Sequence, residues 1–202
     1  MKVVLSAFLI AAAALPGVAW SHHFMENALP QTFAQGFLSG LGHPVIGADH
    51  AAFIVAAGFF LALAERGLWG VAALILGSLA GAALHLAGIG LPWNETLVAA
   101  SVVLIGALVL ARRTLGLAWL AGGLALAGLL HGHAYAESIF GAEPLPLGAY
   151  LAGFSLVQLA VAAAAFALHR YLMASKAAWT KPVSSALGAS VCVIGIAFIA
   201  SA

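Results

Sequence analysis

Charge is the scarcest property of this sequence. Its 202 residues include only seven lysines and arginines and six aspartates and glutamates, so that 6% of the chain is charged, whereas a soluble domain is typically about 25% charged. So few charges cannot cover a soluble surface of this size. The net charge of +1 gives no reason to expect a nucleic-acid partner, and the one cysteine, Cys192, has no second cysteine with which to form an internal disulfide.

Long apolar runs take the place of the missing charge. Hydrophobic residues make up 64% of the chain, and the runs are too long and too continuous for a porin-like barrel. The fold class we expect is all-α, a polytopic transmembrane helical bundle. Because one crossing takes about 20 residues, the sequence predicts six membrane helices, in segments 33–64, 68–89, 96–111, 115–130, 147–168 and 183–202. The first segment is too long for one straight crossing, and the third and fourth should extend into flanking residues.

The first 21 residues have the pattern of a cleaved secretory signal peptide. Lys2 supplies the positive start, residues 3–15 supply the apolar stretch, and Ala19-Trp20-Ser21 fits a small-x-small cleavage site. We therefore expect a signal peptide at 1–21 and a six-helix transmembrane domain at 22–202.

Charges alternate between the loops. One set of loops carries every basic residue after the signal, namely Arg66, Arg112, Arg113, Arg170, Lys176 and Lys181. The other set carries glutamates and no lysine or arginine. Because basic loops stay in the cytoplasm, we expect a multi-pass protein of the bacterial inner (cell) membrane with its mature N-terminus and its C-terminus outside.

Several polar side chains lie within the apolar segments or at their outer ends. A charged group at the bilayer centre costs about 2.5–3.5 kcal/mol on insertion scales, so residues kept there are expected to have a function. Imidazole is a preferred ligand of Ni²⁺, Co²⁺, Cu²⁺ and Zn²⁺. The candidate metal-binding residues are therefore His43, Asp49, His50, His85, His131, His133 and Glu137.

Helix geometry limits how the first histidines can meet one ion. On a regular helix His43 and His50 stand about 10.5 Å apart along the axis, too far for metal–nitrogen bonds of about 2 Å. Pro44 lacks a backbone N–H and, with Gly47, predicts a break in the helix. Either His43 folds back toward Asp49 and His50, or the two histidines are successive stations for a moving ion.

The second histidine pair raises a similar question. His131 and His133 are two residues apart and face nearly opposite sides of a helix, so they can share an ion only if the backbone unwinds at Gly132. Glycines four residues apart also predict close contact between helices; the pairs are Gly36/Gly40, Gly77/Gly81 and Gly128/Gly132.

The stretch His43-Pro44-x-x-Gly47-x-Asp49-His50 resembles the signature of the HupE/UreJ family of nickel/cobalt permeases, and His131-Gly132-His133-Ala134 is similar to its second histidine motif. The resemblance covers the whole mature chain. It implies six membrane helices, a cleaved signal and uptake of Ni²⁺ or Co²⁺, often for maturation of hydrogenase or urease. It also implies functional roles for His43, Asp49 and His50, with Glu137 as the nearest candidate for an acidic residue that follows the second motif.

The sequence departs from the family pattern in two places. Tyr135 and Ala136 stand where another His and Gly often follow, and Gly153-Phe154 is followed by Ser155 and Gln158 where the family often has a Leu-His pair. These differences bear on which metal is carried.

We therefore expect residues 22–202 to be a permease domain and not an enzyme. It would be a secondary transporter or facilitator that takes up divalent transition metal ions, Ni²⁺ first and Co²⁺ next, through His131, His133 and Glu137 and then His43, Asp49 and His50. The expected partners are the metal ion, as substrate, and the lipid bilayer, with no resident cofactor; a homo-oligomer is left open. The alternative is an integral-membrane zinc-dependent hydrolase, in which His and Asp side chains hold Zn²⁺ and activate water.

Overall fold

The structure is a computed structural model that describes residues 28–202. The expected signal peptide at 1–21 lies outside these residues. Between residues 28 and 202 the chain forms seven α-helices and no strand. They are α1 (Phe33–Ile46), α2 (Ala48–Leu61), α3 (Leu68–Leu86), α4 (Asn94–Ala111), α5 (Leu117–Glu137), α6 (Pro144–Ala174) and α7 (Thr180–Ser201).

The helices account for the predicted crossings. Helices α3 to α7 are each long and apolar enough to span a membrane, and α1 and α2 meet the same criterion together, as a pair bent by 78°. The expected six spans are thus five helices and one bent pair, and the chain is a polytopic helical membrane protein. The third and fourth segments extend as expected, since α4 begins at Asn94 and α5 continues to Glu137.

Glycines allow pairs of helices to pack closely. A Cβ atom added to Gly36 or Gly40 would collide with the α6 backbone, and one added to Gly77 or Gly81 would collide with the α5 backbone. Gly188 in α7 stands in the same relation to α4. The predicted glycine contacts are confirmed, and the bundle is built from the close pairs α1/α6, α3/α5 and α4/α7.

Helix α2 occupies the centre of the bundle. It contacts α4, α6 and α7, and most of its residues are buried on all sides. Helices of this kind are apolar around their whole circumference, and the only ionisable residues of α2 are Asp49 and His50, both in its first turn. The central helix of the bundle therefore carries a carboxylate and an imidazole in its first turn.

The basic residues gather at one end of the bundle. Arg112, Lys176 and Lys181 line one cavity there with Leu63, and Leu63 also lines a second cavity with Arg66. The candidate histidines of the two sequence motifs lie toward the other end.

Candidate functional site

The bend between α1 and α2 brings the first motif together. The break is at Gly47, whose backbone is extended (φ −67°, ψ 110°), while Pro44 lies inside α1. The predicted break is confirmed, three residues later than Pro44. Because the chain turns by 78° here, the ring centroids of His43 and His50 are 5.9 Å apart. Of the two alternatives, His43 folds back toward His50.

Gly47 also makes room for the side chains that follow it. A Cβ atom at this position would lie 2.7 Å from Cδ2 of His50 and 3.3 Å from Oδ1 of Asp49. A larger residue here would press on the imidazole of His50 and, less strongly, on the carboxylate of Asp49.

Asp49 is a nearly buried carboxylate at the start of α2. It is 5% exposed, and its Oδ2 lies 3.7 Å from Nδ1 of His50. The N-terminus of a helix favours a negative charge, which helps to keep a carboxylate at this depth. Asp49 thus places a negative charge beside the imidazole of His50.

The two histidines of α5 meet different partners. Nδ1 of His131 lies 2.9 Å from Nδ1 of His50, and Nδ1 of His133 lies 3.4 Å from Nδ1 of His85. Helix α5 is continuous through Gly132, so the backbone does not unwind there. The expectation that His131 and His133 act together at one entrance site with Glu137 is therefore wrong. Residues two positions apart on a regular helix project to nearly opposite sides.

Both α5 histidines are oriented by a bond at their other nitrogen. Nε2 of His133 donates to the carbonyl of Ile89 at 2.9 Å. Nε2 of His131 lies 2.9 Å from Oγ of Ser101, whose hydroxyl donates to the carbonyl of Val98. We therefore assign the proton of each ring to Nε2, which leaves the lone pair of Nδ1 pointing at the partner histidine.

This arrangement matches that of histidines prepared to bind a metal. Such histidines usually donate their second ring N–H to a carbonyl, carboxylate or other oxygen, which fixes the tautomer and the ring orientation. The nitrogen spacing also fits, since two nitrogens bound at about 2.1 Å to one ion are about 3.0 Å apart at a right angle and about 3.4 Å apart at a tetrahedral angle. Each pair can therefore supply two adjacent ligands to one ion once the proton between the rings has left.

Ser138 and two tyrosines fix His43 beside the pair formed by His50 and His131. Nδ1 of His43 lies 3.1 Å from Oγ of Ser138, and that hydroxyl donates to the carbonyl of Tyr135. The hydroxyl of Tyr150 donates to the same carbonyl at 2.7 Å. The ring of Tyr135 lies edge-on to both His43 and His50. Tyr135 and Tyr150 thus hold His43 of α1 close to His50 and to α5.

The two histidine pairs differ in access to solvent. His131 is completely buried and His50 is 8% exposed; His133 is 6% exposed, but its partner His85 is partly exposed near the end of α3. Glu137, in the last turn of α5, is exposed, and its charge acts on His85 and on Glu95. We call His50, His131, Asp49 and His43 the inner site, and His85 and His133 the outer pair.

The candidate residues do not form a closed metal cage. Among residues 28–202, no group of three or more His, Cys, Asp and Glu side chains has the geometry of a metal site. All seven predicted residues nevertheless lie in this half of the bundle, six of them in the inner site and the outer pair. Their role in binding metal stays a prediction.

Several residues that position the site are not among those that the sequence predicts. They are Ser101, Ser138, Tyr150 and Ile89, the last through its carbonyl. Each acts through one hydrogen bond to a histidine or its support, and a single serine or backbone carbonyl has no sequence signature that would reveal this bond.

The fold defines a polytopic helical membrane protein, and two pairs of histidines lie inside its bundle. Comparison with known sequences then gives the family: the HupE / UreJ protein family matches residues 10–198, and the chain belongs to it. This is a transporter-type family associated with nickel and cobalt uptake, and not a known enzyme family.

One curated relative is the protein HupE of Rhizobium leguminosarum bv. viciae. It is 34% identical over 128 residues, which cover 62% of this chain and 63% of the relative. The match thus spans somewhat less than two thirds of that protein's length. No solved structure matches the chain.

Proposed function

We propose that this protein carries divalent transition metal ions, Ni²⁺ first and Co²⁺ next, across the bacterial inner membrane into the cytoplasm, as a facilitator or a secondary transporter that supplies metalloenzyme maturation such as that of hydrogenase or urease. The observation that carries this proposal is the pairing of His131 with His50 and of His133 with His85, with each α5 histidine oriented through its Nε2. Family membership supports it.

The incomplete ligand set suits transport better than storage. Conduction requires sites that bind an ion well enough to strip part of its water and weakly enough to release it. Two imidazoles at a pair, with Asp49 beside the inner one, leave the remaining positions to water. A broken helix at the binding site, as at Gly47, recurs in secondary transporters.

We infer the order of the sites from the exposure of His85 and Glu137. The outer pair and Glu137 would take the ion from outside, and the buried inner site would hold it next. Asp49 would offset part of the positive charge, since charge pairing is strongest where water is excluded. An inside-negative potential of 100 mV would favour entry of a dication by about 4.6 kcal/mol.

Flux of metal into proteoliposomes tests the proposal. Purified protein is reconstituted with a metal-sensing dye inside, an inside-negative potential is imposed, and Ni²⁺, Co²⁺, Zn²⁺ and Mg²⁺ are added in parallel. We expect protein-dependent entry of Ni²⁺ and Co²⁺, lost when His50 and His131 are both changed to alanine, and no entry of Mg²⁺.

Three other outcomes would overturn transport of Ni²⁺ or Co²⁺. Flux of Zn²⁺ alone would reassign the substrate. Metal binding with no flux would make the protein a membrane-bound metal chaperone. Zinc-dependent hydrolysis of ester or peptide substrates with no flux would favour the membrane hydrolase.

A further inference from the structure

Four buried polar atoms in residues 28–202 make no hydrogen bond in the protein. They are Oδ1 of Asn94, the hydroxyl of Tyr135, Oγ of Ser155 and Nε2 of Gln158. A buried polar group without a partner costs about 1–3 kcal/mol, and such groups in native proteins usually meet water or an ion. Ser155 and Gln158 are three residues apart and therefore share one side of α6.

Ser155 and Gln158 follow Tyr150, which supports the inner site, by five and eight residues along α6. Tyr150 holds the carbonyl of Tyr135, and Phe154, four residues later, has its ring 5.5 Å from that of Tyr135. Gln158 follows after another four residues, on the same side of the helix. Along α6, starting from the end nearest the inner site, the order of these residues is Tyr150, Phe154 and then Gln158.

Gln158 is 1% exposed and reaches across to α3. Its Oε1 lies 3.1 Å from Oγ of Ser78. Ser78 packs against Gly132 of α5, where an added Cβ atom would collide with the Ser78 backbone. Because Gly132 stands between His131 and His133, the Ser78–Gln158 contact lies close to these two histidines.

In either orientation of the Gln158 amide, one of its two polar atoms has no hydrogen-bond partner in the protein. The Ser78 hydroxyl has a single hydrogen, yet it faces both the Leu74 carbonyl at 3.0 Å and Oε1 of Gln158 at 3.1 Å. If the amide turns by half a rotation, its N–H donates to Ser78, whose hydroxyl keeps its bond to Leu74. The carbonyl oxygen of Gln158 then becomes the atom without a protein partner.

An apolar plug closes the bundle beyond this point. Ala162, one turn after Gln158, packs against Gly58 of α2 so tightly that an added Cβ atom would strike its carbonyl. Ile54 and Leu74 are buried in the same core. Gln158 is therefore the last polar side chain on this side of α6 before a dry segment.

We propose that Ser155 and Gln158 form a further binding station for the transported divalent cation, between the inner site and the apolar plug. The amide oxygen of Gln158 and the hydroxyl oxygen of Ser155 contact the ion or the water that it still carries. This inference rests on the proposed transport function and assigns the inward step to neutral oxygen ligands, which bind a transition metal more weakly than imidazole does and so favour its release.

Replacing Gln158 by leucine separates a role in transport from a role in folding. Leucine removes the unpartnered amide, and Ser78 keeps its bond to Leu74, so the thermal stability of Gln158→Leu should be equal to or above that of the parent. Maximal Ni²⁺ flux in proteoliposomes should fall about tenfold, while the half-saturating concentration stays within about twofold, because capture occurs at the histidines. Ser155→Ala should lower flux less, and Ser190→Ala in α7 serves as a control.

Parental flux in a stable Gln158→Leu protein would overturn this proposal and leave the transport function intact. Absence of flux in the parent protein would instead remove the transport function. A labelling experiment covers the case in which Gln158→Leu does not fold. In Gln158→Cys with Cys192→Ala, a small thiol reagent should react, and Ni²⁺ should slow the reaction; an unreactive thiol in the folded protein would overturn the proposal.

Discussion

His133 and His169 lie toward opposite ends of the bundle, and both are buried, at 6% and 4% exposure. Each donates one ring N–H to a backbone carbonyl, His133 to Ile89 and His169 to Phe59. The difference lies at the second nitrogen. In His169 it faces the hydroxyl of Ser184 at 3.1 Å, whose single hydrogen is shared between this nitrogen and the Thr180 carbonyl. In His133 it faces the imidazole of His85.

This comparison separates a structural histidine from a candidate ligand. The second nitrogen of His169 faces a hydroxyl and not a second imidazole, and His169 lines a cavity with the basic side chains of Arg112, Lys176 and Lys181. A histidine that faces another histidine keeps a lone pair that a metal ion can take when one proton leaves. His169 is a buried residue of α6 whose two ring nitrogens contact Phe59 of α2 and Ser184 of α7.

Removing the charge of Asp49 should have the largest effect. Asp49→Asn keeps the shape of the side chain but removes the negative charge from the inner site. We expect it to insert normally and to lose Ni²⁺ flux by about 100-fold or more, because Asp49 is the only buried acidic residue among residues 28–202. Flux in proteoliposomes at matched protein content measures this. The control is Glu65→Gln, an exposed acid at the basic end. If Asp49→Asn transports at the parental rate, the inner site is misassigned.

A pair of serine variants tests the comparison directly. Ser101→Ala removes the partner of His131 Nε2 and should weaken metal binding about 10- to 100-fold, as loss of such supporting bonds typically does. Ser184→Ala removes the corresponding bond to His169 and should cost about 1–3 kcal/mol of stability with binding unchanged. Isothermal titration with Ni²⁺ and thermal unfolding measure the two effects. Equal loss of Ni²⁺ affinity in both variants would contradict the distinction.

The outer pair should control capture more than turnover. In His85→Ala and His133→Ala an outer ligand is lost while the inner site stays. The half-saturating Ni²⁺ concentration should therefore rise about tenfold, which corresponds to a loss of about 1.4 kcal/mol of binding free energy. Uptake curves from limiting to saturating metal measure this. His169→Asn, at the other end, should leave the curve unchanged. An unaltered curve in the double outer variant would exclude the outer pair from the path.

The smallest expected effect concerns the orientation of the two ends. Arg113 is an exposed basic residue at the end opposite the outer pair, and basic loops face the cytoplasm. Arg113→Cys, with Cys192→Ala, should transport normally and resist impermeant thiol reagents in intact cells, reacting only after the membrane is opened. Rapid labelling from outside would invert the topology and with it the direction of entry.

Much of the architecture was predictable from patterns within the sequence. Scarce charge and long apolar runs predicted the helical bundle, Gly36/Gly40 and Gly77/Gly81 predicted close helix pairs, and the Pro44 to Gly47 stretch predicted a break. These features are local, because hydropathy and the absence of a side chain act wherever the residue lies. The site was predictable as a set of residues for the same reason, since ionisable groups in a membrane segment are rare and costly.

The grouping of those residues could not be predicted locally. His131 pairs with His50 across 81 positions of sequence and His133 with His85 across 48, and the expected joint site of His131 and His133 was wrong because α5 stays helical. Ser101 gained its role only by packing opposite His131. His169, as buried as the site histidines, differs from them only in its neighbours.

The sequence by itself determined that this chain forms a membrane bundle with histidines and one aspartate inside it, because the cost of charge in an apolar medium depends only on residue type and segment length. Only the tertiary structure decided which imidazoles face each other, which tautomers they hold and which histidine is merely structural. Those properties depend on hydrogen-bond partners from other helices, and the partners are set by how the close helix pairs pack around α2.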